Sequence, residues 1–159
     1  MTQRVPVLEL DRFIPYRLSF TSNLVSDSIA RTYEALFGLT IPEWRLIAVV
    51  AETAAGEGGG ITQAAIGART RMDKVTVSRA AIALVGRGLL ARGHNPGDGR
   101  SHLLQLTPAG NDLYAQVAPK ALELERRIFD RLDREEVERF VATLRRIDAI
   151  TLELDEPSP

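Results

Sequence analysis

The chain has no cysteine, which excludes a disulfide framework, a thiolate metal site and a thiol redox switch. Sulfur-based oxidant sensing is left to Met1 and Met72. Two histidines alone are poor material for a structural metal centre. No apolar run approaches the roughly 20 residues that span a bilayer, and Met1-Thr2-Gln3-Arg4-Val5-Pro6 holds no hydrophobic export core. A cytoplasmic protein without a membrane partner is expected. Catalytic signatures are missing too: there is no nucleophile elbow, Ser/His/Asp spacing, phosphate loop or metal cluster, so neither an enzyme nor a cofactor is expected. The acid pair Glu135-Glu136 is explained by a helix N-terminus.

What is present is one domain's length, 159 residues, with a net charge of only -1. The average conceals a segregation. Residues 61–108 hold seven bases (Arg69, Arg71, Lys74, Arg79, Arg87, Arg92 and Arg100) against the two acids Asp73 and Asp98. Both flanks are acidic. A basic middle between acidic ends suits a protein that docks one face on phosphates.

Apolar spacing and end signals divide the chain into helices. Pro15 opens a first helix, with Leu18, Val25, Ile29, Leu36 and Phe37 at helical spacing until Gly38 stops it. Thr40-Ile41-Pro42-Glu43 has the form of a capping box, and Leu39 is placed to staple Trp44 at the start of a second helix running through Val50. Ala54-Ala55-Gly56-Glu57-Gly58-Gly59-Gly60 reads as a flexible surface connection, since no Gly-Lys-Ser/Thr follows to make it a phosphate cradle. Further on, Thr107-Pro108 caps and opens a long helix to about Arg131, which Pro119 is expected to kink. Asp133-Arg134-Glu135-Glu136 begins a last helix with Val137, Phe140, Val141, Leu144, Ile147 and Ile150 as its apolar stripe. The tail from Asp155 to Pro159 is expected to fray.

The basic middle holds the chemistry. Thr62 caps a short helix to about Ala68, a polar turn follows, and Asp73 caps a second helix from Lys74 to about Gly86. Two short helices across a short turn read as helix-turn-helix. Val77, Ala80, Ala81, Leu84 and Val85 form the buried stripe of the second, leaving Lys74, Thr76, Ser78 and Arg79 free. Taken alone, those four also fit a solvated helix face. Leu89-Leu90, the turn-rich Asn95-Pro96-Gly97-Asp98-Gly99, then Arg100-Ser101-His102-Leu103-Leu104-Gln105-Leu106 read as a charged β-hairpin. An arginine on its tip is drawn to a narrow minor groove, and a carboxylate two residues earlier is placed to fix its planar fork; the alternative is an ordinary turn salt bridge.

Together these residues make a family resemblance. Asp98-x-Arg100-x-x-x-Leu104-x-Leu106-Thr107-x-x-Gly110, preceded by Thr76-Val77-Ser78-Arg79, Leu84 and Gly88-Leu89-Leu90, resembles the MarR family of winged-helix regulators over nearly the whole chain. The resemblance implies a mainly α fold with a small β-hairpin wing: a winged helix-turn-helix lobe at 40–107, with N- and C-terminal dimerisation helices at 8–38 and 108–154. It implies a homodimer on a palindromic operator in double-stranded DNA, a recognition helix in the major groove and a wing in the minor groove. Arg100 maps to the wing arginine and Asp98 to the acid that orients it. The candidate DNA contacts are Thr62, Gln63, Lys74, Thr76, Ser78, Arg79, Asp98 and Arg100.

The resemblance also implies a small-molecule effector, often an aromatic acid or related anion, which releases the operator. Phe13, Tyr16, Arg17, Phe20, Ser22, Asn23, Arg31, Trp44 and Tyr114 mix aromatic surface with cations and amides, and Tyr16, Arg17, Asn23, Arg31, Trp44 and Tyr114 form the narrower ligand set. Ile14-Pro15-Tyr16-Arg17-Leu18-Ser19 and Leu39-Thr40-Ile41-Pro42-Glu43-Trp44-Arg45 are similar to regulators of aromatic catabolism that answer to aryl-coenzyme A thioesters. His94 and His102 flank the wing and are expected near phosphates or on the surface rather than on a metal. The alternative to a repressor is a winged-helix protein-interaction module, which would show neither sequence preference nor steep salt dependence on DNA.

Overall fold

The computed structural model describes residues 7–56 and 59–155. The first six residues, Glu57 and Gly58 of the glycine run, and the tail beyond Asp155 lie outside the described residues, and with them the readings made of Met1 to Pro6 and of a frayed end. After a single 3-10 turn at Leu10–Arg12, the order is α1 (Ile14–Phe37), α2 (Ile41–Ala55), α3 (Gln63–Thr70), α4 (Lys74–Gly86), β1 (Leu90–His94), β2 (His102–Leu106), α5 (Pro108–Phe129) and α6 (Arg134–Asp155). The chain divides into two compact units between Ala118 and Pro119. Helix α1 and the first part of α5 thus belong to the same unit as the wing.

In that first unit, local signals set the helix ends. Gly38 stops α1 in the left-handed region at φ 59°, its N–H bonded to the Glu34 carbonyl at 3.0 Å. Arg87, distant in sequence, donates to the carbonyls of Gly38 at 2.9 Å and Phe37 at 3.2 Å, so a guanidinium finishes the C-terminus of α1. The Thr40 hydroxyl accepts from the Glu43 N–H while the Glu43 carboxylate accepts from the Thr40 N–H at 2.8 Å, completing the capping box of α2. Helix α2 runs on to Ala55 instead of ending at Val50. Ala54 and Ala55 are strong helix formers, and the Thr53 hydroxyl donates back to the Val49 carbonyl, so the connection begins only at Gly56.

The core lies where α2, α3, α4, the hairpin and α5 meet. Leu39, Leu46, Ile47, Val50, Ile66, Val77, Leu84, Leu90, Leu104 and Val117 are fully buried there; each buried methylene contributes about 0.8 kcal/mol. Val85, expected in the α4 stripe, is only half-buried. The hairpin is antiparallel, with Leu90 opposite Leu106, Arg92 opposite Leu104 and His94 opposite His102. Ile61 exchanges two backbone bonds with Leu104 on the free edge of β2, at 3.1 and 2.8 Å. That approach requires Gly60, at φ 136°, because a Cβ there would sit 2.9 Å from the Leu104 carbonyl oxygen.

A tighter approach joins hairpin to helix. A Cβ on Gly110 would fall 2.0 Å from the Leu89 carbonyl oxygen, so only glycine fits the first turn of α5. Thr107 completes the junction: its hydroxyl donates to the Gly88 carbonyl at 2.6 Å and accepts from the Gly110 N–H at 3.0 Å.

The second unit holds the rest of α5 and α6. Pro119 has no N–H for the Ala115 carbonyl, yet α5 continues past it to Phe129. Exposed pairs line the surface: Lys120 with Glu123, Arg134 with Glu138 and Arg139 with Glu135. The apolar stripe of α6 is present and only partly covered, with Val137, Leu144 and Ile147 half-buried. No residue of α6 is buried, and Phe140, Val141 and Ile150 are exposed.

Two outcomes follow for stability. Gly110→Ala should destabilise the protein by about 1–3 kcal/mol, since backbone rather than a flexible side chain must yield; an unchanged melting temperature would show that the junction is softer than its geometry. Asp73, which caps α4, has its pKa lowered, chiefly by the Thr76 hydroxyl hydrogen bond and then by the Thr76 backbone N–H. A depressed carboxylate stabilises above its unfolded pKa and ceases to do so as pH falls through its folded one. Asp73→Ala should therefore lower the melting temperature at neutral pH, and the deficit should shrink as melts are repeated into the carboxylate range.

Candidate nucleic-acid interface

The surface opposite the core of the first unit is assembled from three turns. At α3, the Thr62 hydroxyl accepts from the Ala65 N–H at 3.2 Å, placing Gln63 at the first helical position. Between α3 and α4, Arg71 takes the left-handed conformation at φ 57°. The Asp73 carboxylate then accepts from the Thr76 N–H at 2.8 Å and from the Thr76 hydroxyl at 2.7 Å. Thr76 is accordingly not free, as the sequence suggested; its hydroxyl serves the cap. Lys74 and Arg79 stay exposed, and Ser78 is half-buried.

The wing tip is held by its own polar side chains. Asn95 accepts from the Gly97 N–H at 3.0 Å and donates to the Ser101 hydroxyl at 2.8 Å. Asp98 accepts from the backbone N–H of Arg100 at 3.0 Å. This corrects the expected role of Asp98: a carboxylate two residues ahead in a tight turn meets the main-chain N–H, not the guanidinium. Asp98 positions Arg100 through the backbone. Among the described residues, the Arg100 guanidinium has no carboxylate partner.

Between these parts lies an open trough of about 620 Å³, lined by Thr62, Gln63, Ala64, Lys74, Arg92, Asn95, Asp98, Arg100, Ser101 and His102. It brings together five of the candidate residues, Thr62, Gln63, Lys74, Asp98 and Arg100, whereas Thr76, Ser78 and Arg79 do not line it. Of the remaining lining residues, Arg92, Asn95 and Ser101 were not among the sequence candidates, whereas His102 was expected near phosphates or on the surface. Strand register held the signal for two of them. Pairing Arg92 with Leu104 and His94 with His102 puts Arg92 and His102 on one face of the hairpin. Three fixed cations against one carboxylate make the trough electropositive. Two of the seven bases in the middle segment serve elsewhere: Arg69 pairs with Glu52 at 2.7 Å, and Arg87 caps α1.

The ligand candidates form two clusters. Trp44 stacks on Tyr114 with centroids 6.0 Å apart and planes at 17°, and meets Tyr33 at 5.5 Å. Tyr33 was not anticipated; it is buried, and desolvation raises its pKa. On α1, Tyr16 lies 6.1 Å from Phe20, while Arg17 sits over the Phe20 ring at 5.3 Å and pairs with Asp11 at 3.1 Å. Asn23 and Arg31 are exposed on the same helix.

A model of the MarR family matches residues 37–101, the stretch from the end of α1 to the wing tip. Transcriptional regulator HosA of Escherichia coli O111:H- is 27% identical over 124 residues, covering 78% of this chain and 88% of HosA. CouR from Rhodococcus jostii RHA1, solved with p-coumaroyl-CoA bound, superposes with a TM-score of 0.75 at 21% identity, over 89% of this chain and 95% of CouR. MepR of S. aureus, solved in a complex with DNA, gives 0.74 at 22% identity, over 86% and 97% of the two chains. Residues 37–101 thus match the MarR-family model, and the chain has the mainly helical, winged fold of the solved structures it resembles.

Proposed function

We propose that the protein is a homodimeric, sequence-specific DNA-binding regulator, acting in the cytoplasm as a repressor that a small aromatic or anionic ligand releases from a palindromic operator. The observation that carries this reading is the electropositive trough between the capped start of α4 and a wing tip whose arginine has no carboxylate partner among the described residues. In this reading Lys74, Ser78 and Arg79 address the major groove, Thr62 and Gln63 the phosphates beside it, and Arg100 the adjacent minor groove, with Asp98 and Thr76 holding backbone and cap. The DNA in the MepR complex supports a nucleic-acid partner.

Two-fold assembly is supported by uncovered apolar surface. Ile14, Phe20 and Leu24 on α1, and Phe140, Ile150 and Leu154 on α6, are exposed in the single chain. The lobe at 40–107 then reads DNA, and 8–38 with 108–154 supply the dimer contacts. A reading helix covers a few base pairs, so two copies on half-sites about one helical turn apart supply affinity and specificity together.

An aromatic acid or an aryl-coenzyme A thioester is the proposed effector class. Its support is the pair of aromatic clusters, Trp44 with Tyr114 and Tyr16 with Phe20, with Arg17 beside the second, together with the p-coumaroyl-CoA bound to CouR. Arg31 and Asn23, exposed on the same helix as Arg17, complete the proposed set.

The test starts from selection of bound duplexes out of random DNA, which should enrich a palindrome. On that operator Arg100→Ala should lose on the order of 1–3 kcal/mol of binding per half-site with an unchanged melting temperature. A gel-shift midpoint that stays put at fixed salt would remove Arg100 from the interface. Binding that shows no sequence preference would favour the interaction module instead. Aromatic acids and their coenzyme A esters, titrated into the preformed complex, should release it.

A further inference from the structure

Helix α4 buries Val77, Ala80, Ala81 and Leu84. With about 3.6 residues per turn, the line directly opposite them runs through Val75, Arg79 and Ile82. A helix that packs one face on a core normally shows polar side chains on the other. Here the outward line is apolar on both sides of its arginine: Val75 is 57% exposed and Ile82 59%. Arg79 is exposed and has no carboxylate partner among the described residues.

The surroundings select the occupant. Lys74 adjoins Val75 in the chain and lines the trough with Arg92 and Arg100, so whatever covers Val75 lies in a cationic field. Duplex DNA meets that requirement and also offers an apolar group at base level. The C5-methyl of thymine is the one apolar feature of the major-groove edge, and an aliphatic side chain recognises it by contact. Val75 stands in the first turn of α4, beyond the Asp73 cap, where side chains of a reading helix reach base edges. Ile82 lies two turns further along, roughly 10 Å by the helical rise.

We propose that Val75 is a specificity-determining residue, packing on the C5-methyl of one thymine in each operator half-site, beside the base edge taken by Arg79. The proposal rests on the DNA-binding reading above. It goes beyond that reading by assigning a base chemistry to a side chain that makes no hydrogen bond. An exposed valine on the reading line is thereby explained: it is left uncovered in the free protein because its partner is a methyl group on the operator.

Deoxyuridine differs from thymidine only by that methyl, so the experiment changes one contact at a time. The full-length protein is given the operator selected from random DNA, and each thymine of the half-site is replaced in turn, symmetrically, by deoxyuridine. One replacement should weaken wild-type binding by about fourfold per half-site, the worth of one buried methyl-sized group. Val75→Ala should bind the thymine and deoxyuridine forms of that site equally, at the weakened level, while Ile82→Ala keeps the full discrimination. An operator on which every replacement is silent, or a Val75→Ala protein that still discriminates, overturns the assignment. The ratio is taken within one protein, so partial unfolding of a variant does not mimic the result. Failure to enrich any operator would instead overturn the DNA-binding reading, and is recognised before the first deoxyuridine is tested.

Discussion

A hairpin with strands of five residues is marginal on its own, and in this fold its firmness comes from the approach of Gly110 to the Leu89 carbonyl. The absent Cβ lets the first turn of α5 lie against the end of β1, and the Thr107 hydroxyl bonds to both sides of the contact. Leu90 and Leu104 then carry the strands into the core, and Ile61 holds the outer edge of β2. With stem, edge and inner face all fixed, the tip has little freedom except within its own turn. The distance from Arg100 to the start of α4 is thereby a property of the packed unit rather than of a loop. Two grooves of a duplex can be addressed at once only if that distance is kept.

Charge follows the same logic of position over total. A net charge of -1 says nothing about a face on which three cations line one trough. Nor does counting bases along the chain give the field at the surface, because Arg69 and Arg87 are committed to Glu52 and to the C-terminal carbonyls of α1. Both commitments are to a different helix, the next one back for Arg69 and the first of the chain for Arg87. They were invisible to a reading by segments, since a guanidinium that caps a distant helix and one that waits for phosphate look alike as letters.

Helix ends were the most legible feature, because their determinants are local. Thr40 with Glu43, Thr62, Asp73, Gly38 and Thr107 each act on backbone within four residues, and all stand at the ends the sequence indicated. What was illegible was decided by tertiary partners. The extension of α2 through Ala55 turned on propensity winning where glycines suggested a break; the half-burial of Val85 turned on how far the core reaches around α4. Within the site, Arg92 and His102 became contacts of the trough only through strand register, which no single strand reveals. Asp98 was placed on the right turn, and only the acceptor's partner differed: the main-chain N–H lies closer than the end of a long flexible side chain.

That difference bears on how the wing would work. Had Asp98 held the guanidinium of Arg100, entry into a groove would first have to break an ion pair. Instead the carboxylate is spent on the turn: it accepts from the Arg100 N–H, and the Ser101 N–H bonds to the Asp98 carbonyl at 3.1 Å. The backbone of Arg100 is held in the turn while its charged end has no carboxylate partner among the described residues. On the proposed reading, ordering before binding would lower the entropy to be lost on the DNA, and leaving the fork free would avoid an exchange of partners. The same division recurs at α4, where Asp73 and Thr76 bond to each other and to the helix end, so that Lys74 and Arg79 are presented by a cap that uses up the nearby acid. In both places the carboxylate of the basic segment is consumed by geometry, and the trough keeps three cations, Lys74, Arg92 and Arg100, beside the one carboxylate of Asp98.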